Sequence, residues 1–230
     1  MKRAVEVFTF ERRSARSPLI EQAWRTRSEP EESFISAAAS HWEMVVTRQW
    51  GSAHLTLRGP ETRATTASIP QDAIFFGIQF SHGTFMPGLP PGQLVDRSFT
   101  ATPAGKDSVW LDGCRIELPD PENADAFVER LVSAGLLTHD PVAAAAVRGE
   151  LAALSTRSIE RRVARATGLT RGAIRQIRRA ERAVELLCQG LAPPDVAHEA
   201  GYADQSHLTR SLNRFVGRTP SQIAAFATAD

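Results

Sequence analysis

The sequence predicts an α+β protein, with a β-rich barrel or sandwich over residues 1–120 followed by an all-α domain over residues 121–230. Three observations lead there. Up to Leu118, apolar residues alternate in short runs separated by turn residues. From Asn123 onward they recur at helical spacing, with capping residues at the segment ends. The charge changes with the pattern: residues 1–140 hold 14 Lys+Arg against 18 Asp+Glu, a net of −4, while residues 141–230 hold 13 against 8, a net of +5.

Composition narrows the class. A chain of 230 residues suits one large or two small domains, and its 42% hydrophobic and 23% charged content is ordinary for a globular protein. No apolar run approaches the roughly 18 residues that a membrane helix needs, so no membrane partner is expected. MKRAVEVFTFERRS lacks the apolar core of a secretory signal, and a cytoplasmic location follows as the expectation. Cys114 and Cys188 are too few and too far apart for a disulfide framework or a zinc site. No cofactor is indicated.

Along the first half, Val5–Phe10, Trp42–Arg48, His54–Arg58 and Ile74–Phe80 read as strands. Gly51-Ser52, Gly59-Pro60, Pro70-Gln71-Asp72 and the 87–92 segment break them, and Asp112-Gly113 reads as a tight hairpin turn. His41, His54, His82 and His139 stand alone, with no His-x-His pair for a metal site, and neither a Ser-His-Asp set nor a phosphate-cradling glycine loop is legible. Aromatic side chains with a few polar anchors suit a small-molecule cavity. Trp24, Trp42, Phe80 and Trp110 with Glu43, Arg48 and Arg58 are the candidate effector-binding residues. The competing reading is that these aromatics belong to the core.

The second half is a series of helices. Asn123 or Asp125 caps the first, whose Phe127, Val128, Leu131, Val132, Leu136 and Leu137 share one face; Asp140-Pro141 ends it. An alanine-rich helix follows from Val142 to Val147, with Gly149 after it. Ser155 caps a helix whose Ile159, Val163 and Ala166 form a stripe beneath Arg157, Arg161, Arg162 and Arg165. Nine arginines against two glutamates between Ser155 and Arg182 suggest a polyanionic partner. A long helix, Arg171 to Cys188, carries Ile174, Ile177, Ala180, Val184 and Leu187 on one face.

Beyond it, Pro193 and Pro194 open a short helix that Gly201 stops, and Asp204 caps another in which Leu208, Leu212 and Phe215 line one side. Gln205, Ser206, His207, Arg210 and Arg214 occupy the other. Helix, glycine-bearing turn, helix is a helix-turn-helix, and its second helix is placed to read a major groove.

The stretch Ala197-His198-Glu199-Ala200-Gly201-Tyr202, Asp204 to Arg210, and Phe215 to Ser221 with its Gly217-Arg218-Thr219-Pro220 resembles the AraC-type bacterial transcription regulators. Ser155 to Val163 resembles the first reading helix of that family, and Arg178–Leu187 its connecting helix. The resemblance covers Asn123 to Phe226, weakening toward the N-terminal side. One departure is the long Arg148–Leu154 connection, which puts base reading by the first lobe in doubt.

The resemblance implies a cupin-like N-terminal barrel, a double-stranded DNA partner and no enzymatic activity. Arg157, Arg161, Gln205 and Arg210 are then the expected base readers, with Ser206 and His207 secondary. Arg162, Arg214 and Arg218 are expected at phosphates. A small-molecule effector, a homodimer and, for an activator, RNA polymerase are the further partners such a protein would have. Two readings of the first domain remain open beside the sensor: dimerisation or protein contact only, and a cupin-like enzyme with a helical tail.

Overall fold

The computed structural model describes residues 10–13, 15–28, 33–150 and 155–227. The predicted Val5–Phe10 strand lies outside them except for Phe10. The strands are β1 (Glu11–Arg13), β2 (Ile20–Arg27), β3 (Ser33–Ser36), β4 (Glu43–Gln49), β5 (Ser52–Arg58), β6 (Thr65–Ser68) and β7 (Ile74–Phe80). They continue as β8 (Thr84–Phe85), β9 (Ser98–Thr100), β10 (Thr102–Gly105), β11 (Ser108–Leu111) and β12 (Cys114–Glu117). One six-stranded antiparallel sheet, in the order β1-β2-β7-β4-β5-β9, organises the domain. β10-β11-β12 form a second sheet and β3-β6 a separate ribbon. The Asp112-Gly113 turn is as expected, with φ of 49° and 75° at its two residues.

The period-2 pleat gives the large sheet two different faces. Met44, Val46, Leu55, Leu57, Phe76 and Ile78 point to one side, where all are buried in a single core. Glu43, Val45, Thr47, Thr56, Arg58, Phe75 and Gln79 point to the other and line a cavity.

Helix α1 (Ala124–Ser133) closes the apolar side, with Phe127, Val128 and Leu131 fully buried in the same core as Met44 and Phe80. Two hydrophobic cores therefore part near Asp140, not at 120/121: α1 belongs with the sheets. The reason is both apolar and polar, since the Asp125 carboxylate accepts from the backbone N–H groups of Arg16 and Ser17. Asn123 makes no side-chain cap. α1 also stops seven residues before Asp140: Gly135, at φ 71°, turns the chain so that Leu136 and Leu137 enter the core from outside the helix. β13 (Thr138–His139) then pairs with β8.

Asp140 begins an element instead of ending one. Its carboxylate accepts from Val142 and Ala143 N–H at the start of α2 (Pro141–Arg148). α3 (Thr156–Thr167), α4 (Arg171–Cys188), α5 (Pro193–Glu199), α6 (Gln205–Phe215) and α7 (Pro220–Ala227) follow. Ile159, Val163, Ile174, Ile177, Leu208, Leu212 and Ile223 fill their shared core. Ala38 and Phe85 enter that core from the sheet region.

The two halves are docked through backbone contacts. Ala38 N–H donates to the Phe215 carbonyl at 2.7 Å and Ala64 N–H to the Arg214 carbonyl at 2.8 Å, satisfying acceptors left open at the end of α6. Gly168, just after α3, lies against the short 3-10 turn Pro91–Gln93, and a Cβ there would come within 2.8 Å of Pro91 and Gly92 backbone atoms.

Candidate nucleic-acid interface

The second helical lobe follows the sequence reading closely. Pro193 and Pro194 open α5, Gly201 leaves it at φ 73°, and the Asp204 carboxylate accepts from His207 N–H at 2.6 Å to start α6. Tyr202 is buried in the turn, its hydroxyl 3.0 Å from the Ser211 hydroxyl, which fixes the angle between α5 and α6. At 100° per residue, Leu208, Leu212 and Phe215 hold α6 to the core and Ser206, Arg210 and Asn213 stand on its outermost line. Gln205 and Arg214 flank that line and are also exposed.

His207 is different. It is half-buried and meets the Tyr202 ring edge-on at 5.2 Å, so it serves the turn as well as facing outward. Asn213 was not among the sequence-derived residues, although its exposure and its place one turn beyond Arg210 put it on the same surface. Only its spacing from Ser206 and Arg210 could have marked it.

The first lobe pairs α2 with α3 across a connection of seven residues, 149–155, of which 151–154 lie outside the described residues. Ser155 caps α3 through its hydroxyl, which accepts from Ser158 N–H. Arg157 and Arg161, one turn apart, are exposed on the outer face. Arg162 turns aside to the Asp140 carboxylate, 3.0 Å away, and its neighbour Arg165 lies 5.6 Å over the Phe85 ring. Of the α3 arginines, then, two face outward and two tie the helix to α2 and the sheet domain. Arg218 stacks 4.2 Å over Phe226. Between the lobes runs α4, whose 18 residues span about 27 Å at 1.5 Å per residue.

Beneath α4 is a cavity of about 770 Å³. Its floor is the polar face of the large sheet, one wall is the β3-β6 ribbon, and its roof is α4 with the end of α6, through Ile177, Val184, Phe215 and Val216. Three sequence-derived effector residues meet on this floor. Trp24 Nε1–H donates to Glu43 Oε2 at 3.0 Å, and Arg58 Nη1 donates to Glu43 Oε1 at 3.3 Å. Arg58 Nη2 also donates to Glu61 Oε1 at 2.7 Å and to the Ser36 hydroxyl at 3.1 Å. Burial raises the Glu43 pKa above the ordinary carboxylate value, against the opposing pull of Arg58.

The other four are elsewhere. Trp42 and Phe80 stack on each other at 4.1 Å in the apolar core, and Trp42 Nε1–H donates to the Thr84 carbonyl. Each is one residue away from a cavity residue, Glu43 or Gln79, and so points through the opposite face. Arg48 is exposed and bonded to Asp107 at 2.6 Å, and the Trp110 side chain is exposed on the three-stranded sheet.

The histidines that stand apart in sequence partly meet: His41 and His82 rings are 3.9 Å apart, and His139 is bonded to the Thr84 hydroxyl. Burial, with the nearby Arg178 charge, lowers the His82 pKa to about 4. Among the described residues no three His, Cys, Asp or Glu side chains are grouped to hold a metal ion.

Residues 149–225 match a family model described as a helix-turn-helix domain. No curated protein sequence matches the chain. Two solved structures of ToxT from Vibrio cholerae, one of strain O395 and one at 1.65 Å resolution in a P21 form, align with 91% and 95% of this chain and with 98% of theirs. Both do so at 10% identity and a TM-score of 0.43. Among the described residues no helix is long and apolar enough to cross a membrane.

Proposed function

Starting from a chain that carries an AraC-type helix-turn-helix domain over residues 149–225, we propose a sequence-specific DNA-binding transcription regulator governed by a small molecule held under α4. The carrying observation is the outer face of α6. Gln205, Ser206, Arg210 and Asn213 stand clear of the sheet domain, while the far end of the same helix is anchored on Ala38 and Ala64. A helix held at its C-terminal end and open along its outer face can enter a major groove.

Arg210 is the guanine reader and Gln205 the adenine reader in this account, since their planar groups match the paired acceptors and donors of those base edges. Ser206 and Asn213 reach neighbouring positions. Arg214 serves a phosphate from the flank. Arg157 and Arg161 offer a second contact through α3, and the roughly 27 Å of α4 suits two helices entering successive turns of one DNA face, about 34–36 Å apart. Arg162 is committed to Asp140 and contributes little to DNA directly.

The protein acts by binding, not by catalysis. A ligand in the cavity touches the sheet on one side and α4 with the end of α6 on the other. Occupancy therefore changes the balance between arrangements of the reading helices in proportion to its different affinity for each. Selection of DNA from a random pool, with the full-length wild type and a Gln205→Ala, Arg210→Ala double variant at one salt concentration, tests the reading. A defined motif lost in the variant supports it; DNA binding with no motif in either protein refutes it.

A further inference from the structure

Resting on the reading of this cavity as the effector site, we infer that its ligand is an organic cation with an apolar or aromatic body, its charged end placed at Glu43. The charge on the floor has one sign to spare. Glu43 and Glu61 share the single guanidinium of Arg58, so with both carboxylates ionised the cluster carries one negative charge in excess. A carboxylate ligand would meet two carboxylates already competing for that guanidinium. A cation completes the set.

Of the two carboxylates, Glu43 is the one that lines the cavity. Its side chain is only 16% exposed, and each carboxylate oxygen accepts one hydrogen bond with a lone pair left over. On the roof, Glu185 is paired with Arg182 at 3.1 Å, so the surplus rests on the floor. Arg12 and Glu21 at the margin offset each other in charge.

The walls suit the same class. Phe10, Trp24, Phe34, Phe75 and Phe215 line the space, and the electron-rich faces of such rings attract cations. The Trp24 ring passes flat over Gly77: a Cβ there would fall 2.1 Å from Trp24 Cε2. Phe10 meets it edge-on at 5.2 Å. An indole pinned in this way, with its N–H on Glu43, places a ring beside the carboxylate that would hold the ammonium group. A volume of about 770 Å³ accommodates a drug-sized molecule.

Calorimetric titration and thermal shift of the full-length protein with three probes test this: phenyltrimethylammonium, its uncharged isostere tert-butylbenzene, and phenylacetate. The expected order is cation first, neutral weaker, anion without effect. Glu43→Gln keeps an acceptor for Trp24 and should weaken phenyltrimethylammonium about tenfold or more while leaving tert-butylbenzene unchanged. The ranking on wild type stands by itself where the variant does not fold. Phenylacetate or tert-butylbenzene binding as tightly as the cation overturns the ligand class while leaving the cavity an effector site. No binding by any probe overturns the inference. Should a cavity-filling Thr47→Phe also leave DNA affinity unchanged, the effector reading itself falls.

Discussion

Replacing Gly168 with alanine loads the contact between the α3 end and the sheet domain. Gly168 has φ 74°, and an added Cβ would lie 2.8 Å from Pro91 C and Gly92 N and 2.9 Å from the Pro91 carbonyl oxygen. The left-handed backbone costs a β-carbon about 1–2 kcal/mol. The neighbours are main-chain atoms that cannot swing aside, so overpacking adds about 1–3 kcal/mol. Gly190→Ala is the control: its φ is 87° and nothing lies within 4 Å of its added Cβ, which leaves the backbone cost alone. Urea unfolding followed by two probes separates the effects. All four tryptophans, Trp24, Trp42, Trp50 and Trp110, are in the sheet region, so fluorescence reports that half, while far-ultraviolet circular dichroism is dominated by the helices. Gly168→Ala should lose about 1–3 kcal/mol more than Gly190→Ala and pull the two transitions apart. Equal losses, with coincident transitions in both variants, would refute the docking of α3 on Pro91–Gln93.

Three further outcomes follow from the same geometry. Gly77→Ala should displace the Trp24 ring, break its bond to Glu43 and shift tryptophan emission, at a cost of about 1–3 kcal/mol in urea. His82, packed on His41, bonded to the Ser40 hydroxyl and near Arg178, has its pKa lowered from 6.5 to about 4. The unfolded chain therefore takes up its proton first as pH falls, and stability is lost between about pH 6.5 and 4, by up to roughly 3 kcal/mol from this group; His82→Gln should flatten that slope in urea midpoints. Arg214→Ala should weaken binding to all DNA alike and reduce the salt slope by about 1, read by fluorescence anisotropy at several salt concentrations.

Much of the helical half was legible because its signals are local. Ser155 and Asp204 cap the helices they were expected to cap, the bounds of α4 are those read from the apolar stripe, and Gly201 ends α5. Where a long-range contact decides, the sequence was silent. α1 reads as an amphipathic helix with no indication of which layer receives its face, and the Asp125 bonds to Arg16 and Ser17 that tie it to the sheets span more than a hundred residues.

The cavity shows the same division. Trp24, Glu43 and Arg58 were legible as polar and aromatic residues on strands, but choosing by residue type also drew in Trp42 and Phe80. Parity along the strand separates them: Glu43, Val45 and Thr47 against Trp42, Met44 and Val46, or Phe75 and Gln79 against Phe76 and Phe80. The roof, from Ile177 to Val216, comes from helices far along the chain and no local pattern announces it.

The outer face of α6 as a reader of bases is tested most directly by one comparison: the affinities of wild type and Arg210→Ala for the selected DNA site and for a scrambled site of equal length, at one salt concentration. Arg210→Ala should lose about 1–3 kcal/mol on the selected site and almost nothing on the scrambled one. An equal loss on both would make Arg210 a phosphate contact and contradict the reading of α6 as the recognition helix.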